Sequence, residues 1–348
     1  MARFIKILKK TALAASIASL ATVANATIVT SIKPLGFIAS SIADGVTDTE
    51  VLVPAGASPH DYSLKPSDIQ KLQGAELILW VGEDIDAFLD KTLRPMPFKK
   101  VLSIADFAEI GGLLEGEAHD HKHEHDHTHK HDHDHKHDHD HKHDHNHDHN
   151  HDHNHDHNHK HDHEHKHDHA HGHEHDHSTN WHVWYSPEIS KIVATRLATR
   201  LTEAYPEKKE KIAQNLAEFN RTLAEQSEKI KQQLAPVKEK GFYVFHDAYS
   251  YFNNAYGLKQ TGYFTINPLV APGAKTLAKI KQEIKEHKVN CLFAEPQFTP
   301  KVIESLSKGT GVHVGRLDPM GDAVKLGVNS YANFLQYTAD SYFACLSK

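Results

Sequence analysis

From His119 to His177 every second residue of this 348-residue chain is histidine, with Asp, Asn, Lys or Glu almost always between. Neutral imidazole is the commonest protein ligand for zinc, copper and nickel, so the first chemistry to expect is metal handling. The run cannot itself be a fold, because it holds almost nothing apolar to set against the entropy of ordering a chain. It reads as a solvated reservoir of auxiliary weak sites. Where its backbone is extended, alternate residues share one side, so neighbours among His119, His121, His123 and His125, or His173, His175 and His177, chelate in pairs. Only five of the 35 histidines stand elsewhere: His60, His182, His246, His287 and His313.

Three of these sit where a site is expected. His60 lies in Gly56-Ala57-Ser58-Pro59-His60-Asp61, beyond a strand-like run ending at Val53, and His246 directly follows the run Phe242–Phe245. Open parallel α/β sheets bind ligands beyond the carboxyl ends of their strands. Asp318, in Leu317-Asp318-Pro319, occupies the same kind of position, and His182 follows the histidine run in Trp181-His182-Val183-Trp184. Two ligands from each half, His60 and His182 with His246 and Asp318, would converge on a cleft. Singly, a histidine after a strand is more often a cap or packing residue; as a set in this chain they favour metal. Glu295, after the run Cys291–Ala294, is a candidate acceptor for orienting an imidazole. His287 reads as a solvated helix end that favours the helix dipole, and His313 as a core residue within a strand.

The elements that must carry these residues alternate between short β-rich runs and helical patterns in both halves, the signature of βαβ units and parallel sheets. In the first half the strands are expected at Ile28–Ile32, Glu50–Val53, Leu77–Val81 and Lys100–Ser103, with helices near Leu35–Ala43, Pro66–Leu72 and Asp84–Leu93. In the second, Phe242–Phe245, Gln260–Thr265, Cys291–Ala294 and Val312–Leu317 alternate with helices near Tyr249–Tyr256, Lys275–His287, Pro300–Lys308 and Tyr331–Leu346. Between the halves Ser186 caps and Pro187 starts a helix to Ala204. Pro206 then restarts one to Leu234, roughly 40 Å long at 1.5 Å per residue, a brace rather than a hinge. The expected organisation is a leader over 1–26, an α/β lobe over 27–185 with the histidine-rich insertion at 118–178, a helical segment at 186–238 and a second α/β lobe over 239–348.

Residues 1–26 combine a basic start, an apolar run and Ala24-Asn25-Ala26, the form of a cleaved export signal. No later apolar stretch is long enough to span a bilayer, so a soluble, exported mature chain is expected. The histidine run carries sixteen Asp and Glu against six Lys, outweighing the whole chain's formal charge of −7. The remainder is close to neutral, which argues against nucleic acid as a partner. Cys291 and Cys345 are the two cysteines. An isolated pair in an exported chain points to a structural disulfide rather than a metal site, the alternative being two buried thiols that never meet.

Taken together, Gly56–Asp68, Trp181–Pro187, Phe245-His246-Asp247-Ala248-Tyr249, Phe293-Ala294-Glu295-Pro296-Gln297 and Leu317-Asp318-Pro319 resemble the ZnuA family, periplasmic zinc receptors of bacterial ABC importers. The resemblance covers essentially the whole mature chain, including the place of the acidic histidine-rich insertion. It implies two α/β lobes joined by a rigid helix, and Zn²⁺ held by His60, His182 and His246. It further implies a Cys291–Cys345 disulfide and delivery to a membrane permease driven by a cytoplasmic ATPase. Some zinc receptors carry Glu immediately before the first histidine ligand; this chain has Pro59, which leaves Asp318 or a water to complete the tetrahedron. Related manganese receptors place Glu where His246 stands, and an imidazole-rich set suits Zn²⁺ better than Mn²⁺.

The resulting expectation is a periplasmic, monomeric zinc-binding protein and not an enzyme. The alternatives are a periplasmic zinc buffer or chaperone that works through the run, and a manganese-type receptor of the same fold. A hydrolytic site of three histidines and water is also conceivable, but the chain has no His-Glu-x-x-His helix. An adhesin of this fold would need a lipid-anchoring cysteine, and none lies near the cleavage site.

Overall fold

The computed structural model describes residues 27–116, 179–298 and 301–348. The leader, the auxiliary histidines and the expected helix start at Pro300 lie outside the described residues. In the first half β1 (Thr27–Thr30) leads into α1 (Lys33–Ile42), which begins with Pro34 in its first turn. There follow β2 (Asp48–Val51), α2 (Pro66–Gly74), β3 (Leu77–Trp80), two one-turn helices α3 (Glu83–Asp86) and α4 (Asp90–Leu93), and β4 (Val101–Ser103). The four strands form a parallel sheet in the order β2-β1-β3-β4. The single helix expected over Asp84–Leu93 is broken because the Asp86 carboxylate turns back to accept Ser31 Oγ and the Val81 amide, both at 2.8 Å. Asp86 leaves helical geometry, at φ −105° and ψ 40°, and a 3₁₀ turn fills Ala87–Leu89.

Two short strands, β5 (Glu115–Gly116) and β6 (Thr179–Asn180), pair antiparallel and bring together the chain on either side of the insertion. The bracing helices are α5 (Pro187–Ala204), whose Ser186 cap accepts the Ile189 amide at 3.2 Å, and α6 (Lys209–Leu234). At 26 residues α6 is about 39 Å long. The second half runs β7 (Phe242–His246), α7 (Ser250–Tyr256), β8 (Gln260–Thr265), α8 (Ala274–Lys285), β9 (Cys291–Ala294), α9 (Lys301–Thr310), β10 (His313–Arg316) and α10 (Ser330–Leu346). Its parallel sheet has the order β10-β9-β7-β8. From the opposite edge this is the winding of the first sheet: the second strand beside the first, then a jump across it to the third and fourth.

Period-two alternation divides each sheet between two cores. Val29, Ile78 and Trp80 pack on one side of the first sheet with Leu72 and Leu93, and Tyr243, Phe245 and Leu292 on the outer side of the second with Ile280 and Ile303. The intervening faces, with Ile28, Leu77 and Leu79 from one sheet and Phe242, Val244 and Phe293 from the other, belong to a single cluster that also takes the buried stripes of α1, α5, α6 and α10. Along α6 that stripe is Ile212, Phe219, Leu223, Ile230 and Leu234. At its start Asn215 Nδ2 donates to the carbonyls of Ile42 and Asp44, and further along Ser227 meets the Tyr256 hydroxyl at 3.1 Å. The helix is therefore bonded into both halves, and swinging them apart would open a close-packed interior. A Cys291–Cys345 disulfide ties β9 to α10 inside the shared core. His313 is not a core residue. It is exposed, because β10 is the sheet edge and most of its residues face solvent. His287 stands just past the end of α8 in left-handed conformation, φ 57°, and is exposed.

Candidate metal centre

His246 is the last residue of β7, an all-buried strand, and stands beside β9 at the point where the sheet's winding reverses. Its Nδ1 lies 2.7 Å from both Glu295 oxygens, and Glu295, just beyond β9, also accepts the Tyr249 hydroxyl at 2.9 Å. A carboxylate can only accept, so Nδ1 carries the proton and Nε2 presents a lone pair.

His182 follows β6. Its Nδ1 stands 2.7 Å from Asn180 Oδ1, which also accepts the His182 amide at 3.0 Å. The Asn180 amide group is fixed the other way by donating to the Asp247 carbonyl, 2.9 Å, and to Ser250 Oγ, 3.2 Å. The oxygen therefore faces the imidazole, Nδ1 is protonated, and Nε2 again offers a lone pair.

His60 sits on a 3₁₀ turn, Pro59–Asp61, whose amide end is capped by Ser58 Oγ accepting the His60 backbone N–H. It is half-buried, whereas His182 and His246 are buried. Its ring centroid lies 5.6 Å from that of His182 and 5.7 Å from that of His246. Among the described residues its imidazole makes no hydrogen bond, so its loop alone positions it.

One ligand atom from each imidazole falls within 4.8 Å of the others. The Nε2 atoms of His182 and His246 face each other at 3.2 Å. Two nitrogens bound tetrahedrally to zinc at 2.0–2.1 Å would be about 3.3 Å apart. The crevice offers about 10 Å³, space for one ion or water and nothing larger. Burial, then the neighbouring His246, pushes the His60 pKa down to about 3. The same causes, with His60 added, hold His182 well below the ordinary range. Both are thus neutral ligands at neutral pH.

Asp318 is not part of this group. Its Oδ1 accepts the Met320 amide at 3.0 Å and Gln297 Nε2 at 2.8 Å, and its Oδ2 accepts the Asp322 amide at 2.7 Å. Gly321 N also donates to the Asp318 carbonyl at 3.1 Å, which makes Asp-Pro-Met-Gly a β-turn with each residue type in its favoured place. The sequence contained that turn signature, and the post-strand reading passed over it. Asn180 was missed as well; an asparagine two residues before a histidine carries no distinctive signal without the contacts that fix its amide.

Comparison with known proteins gives one consistent result. Residues 28–345 match the family described as "ZnuA: Zinc-uptake complex component A periplasmic". The high-affinity zinc uptake system protein ZnuA of Haemophilus influenzae is 69% identical over 343 residues, covering 99% of both chains. The proteins of that name from Haemophilus ducreyi and Yersinia pestis are 53% and 42% identical, over 98% and 93% of this chain and 99% and 92% of theirs. Among solved structures, a ZnuA crystal structure superposes with a TM-score of 0.66 at 21% identity, covering 92% of this chain and 99% of the other. The periplasmic zinc-binding protein TroA of Treponema pallidum gives 0.65 at 16%, covering 93% and 100%. At such identities these two establish the fold alone.

Proposed function

The chain belongs to the ZnuA family of periplasmic zinc-uptake components, and from that premise we propose that His60, His182 and His246 hold the Zn²⁺ it captures, with water as the fourth ligand. The observation that carries this reading is the pair of Nε2 atoms facing each other at 3.2 Å. With both Nδ1 atoms engaged on Glu295 and Asn180, the two Nε2 atoms are the ones turned to the cleft, at a separation that suits two nitrogens on one zinc ion. Three imidazoles in a space for one ion favour zinc over manganese, which takes more oxygen ligands. Asp318 accepts the Met320 and Asp322 amides and Gln297, and Glu295 accepts from His246 and Tyr249, so both carboxylates are engaged in holding the surroundings of the histidines.

In this reading the protein is a periplasmic monomer. It receives zinc with the help of the weak sites between His119 and His177 and hands it to a membrane permease powered by an ATPase. The preformed cleft should fill before the weak sites, since it brings its ligands together without further ordering. Metal-competition titration is the test. Replacing His60, His182 or His246 singly with Ala should each weaken the tight site by several kcal/mol, while His313→Ala should not. Deleting residues 118–178 should leave one tight site. A deletion that abolished it would mean that a histidine of the run is itself a ligand of the tight site.

A further inference from the structure

His60 is the half-buried member of the ligand group and the one whose imidazole has no hydrogen-bonding partner among the described residues. Its loop is nevertheless anchored. Asp322, beyond β10 in the second half, accepts the Gly56 amide through Oδ2 at 2.6 Å. Gly56 lies four residues before His60, with φ 76° and no atom within 4 Å of where a Cβ would stand. Glycine is thus present for its backbone conformation rather than for lack of room.

The segment carrying Asp322 is itself tied on several sides. The Asp322 amide donates to Asp318 Oδ2 at 2.7 Å, and the Asp322 carbonyl accepts Lys33 Nζ, at the start of α1, at 2.7 Å. Pro319 in the same turn accepts Trp184 Nε1, two residues beyond His182, at 3.1 Å. Gln297, two residues beyond Glu295, donates to Asp318. One turn of the second half is thus bonded to the segment behind each of the three histidines. The shared core leaves no separate interface along which the halves could part, so movement at the site falls to the loops. Of the bonds to this turn, Gly56 to Asp322 is solvent-exposed, whereas Trp184 to Pro319 is buried.

We propose that Asp322 is a positioning residue for zinc retention: its carboxylate latches the His60 loop across the cleft, and breaking that bond is the first step of release. Asp318 then serves the site without ligating the ion, by holding the turn that presents Asp322. The proposal rests on the three-histidine reading and adds to it a residue that never touches the ion.

The test is the rate at which the full mature chain, loaded with half an equivalent of Zn²⁺, loses it to excess chelator in a stopped-flow instrument. Asp322→Ala should release zinc roughly three- to tenfold faster, the share of one exposed charge-assisted hydrogen bond. Asp322→Asn, whose side-chain oxygen can still accept from Gly56, should stay within about twofold of the parent. The visible spectrum of the Co²⁺ form should be the same in all three, since the ligand set is unchanged. Parent-like release by Asp322→Ala overturns the latch. So does Asp322→Asn as fast as Asp322→Ala, because the acceptor would then be irrelevant. Should Asp322→Ala misfold by circular dichroism, Asp322→Ser, whose hydroxyl is too short to reach Gly56, takes its place. A parent chain with no slow release phase and no tetrahedral Co²⁺ spectrum would instead refute the zinc site itself, which separates the two failures.

Discussion

The two sheets share one winding, and each buries a carboxylate where that winding reverses, yet only one of the two positions faces the three-histidine group. Between β1 and β3, Asp86 accepts Ser31 Oγ and the Val81 amide and is fully buried. Between β7 and β9, Glu295 accepts from His246 and Tyr249. A hydroxyl and an amide exhaust their single proton on the carboxylate, so the first arrangement is closed and serves to anchor the chain. An imidazole has a second nitrogen. Its proton is held by Glu295 while the opposite lone pair faces the cleft, so the same buried anchor becomes a support for a ligand. The first half contributes its members of the histidine group from elsewhere, His60 from the loop after the edge strand β2 and His182 from the segment after β6.

The most disruptive way to break this contrast is to give the second position the chemistry of the first. His246→Ser should weaken tight zinc binding by more than about a hundredfold, beyond what loss of a supporting partner alone costs; competition against a chelator of known affinity checks it. Reducing Cys291–Cys345, which closes a separation of 54 residues, should lower unfolding stability by about 4 kcal/mol in the chain-entropy account. Neither sulfur is a ligand, so zinc affinity should survive, as denaturation midpoints and the same competition assay would show. Glu295→Ala should cost about ten- to a hundredfold in zinc affinity with the fold retained, since it removes the acceptor that fixes the His246 tautomer.

The matching change in the first half should behave in the opposite way. Asp86→Ala should cost about 1 to 3 kcal/mol of stability by leaving Ser31 and Val81 without their acceptor, with zinc affinity unchanged. The same carboxyl also carries an effect of pH. Burial pushes the Asp86 pKa up to about 7, against the pull of hydrogen bonds from Val81, Ser31 and Gly82. Between about pH 4 and 7 the folded chain keeps a proton that the unfolded chain has released, so this carboxyl's contribution is greatest below that window and is lost as pH rises through it. Asp86→Asn removes the titration. Stability measured across the window should therefore fall less steeply with rising pH in the variant than in the parent.

Much of this was legible before the structure. The alternation of strands and helices placed both sheets, and the resemblance together with the post-strand positions named the three histidines that come together. What the sequence did not reveal has physical reasons. Asp318 follows a strand as His246 does, and Asp-Pro-x-Gly further specifies a turn in which its carboxylate accepts the Met320 and Asp322 amides. His313 lies in a strand, yet sheet order decides that the strand is an edge, and order is a non-local property. The break at Asp86 and the orientation of Asn180 depend on partners 55 and 67 residues away, beyond any local pattern.

The account stands most directly on where zinc sits. Diffraction from zinc-loaded crystals, with the ion located by its anomalous signal, should place a peak about 2.0–2.1 Å from Nε2 of His182, Nε2 of His246 and one ring nitrogen of His60. Water should complete the tetrahedron, with Asp318 still bonded to the amides of Met320 and Asp322. A tight-site zinc that leaves out any of the three histidines, or that draws Asp318 off those amides into its coordination shell, would contradict it.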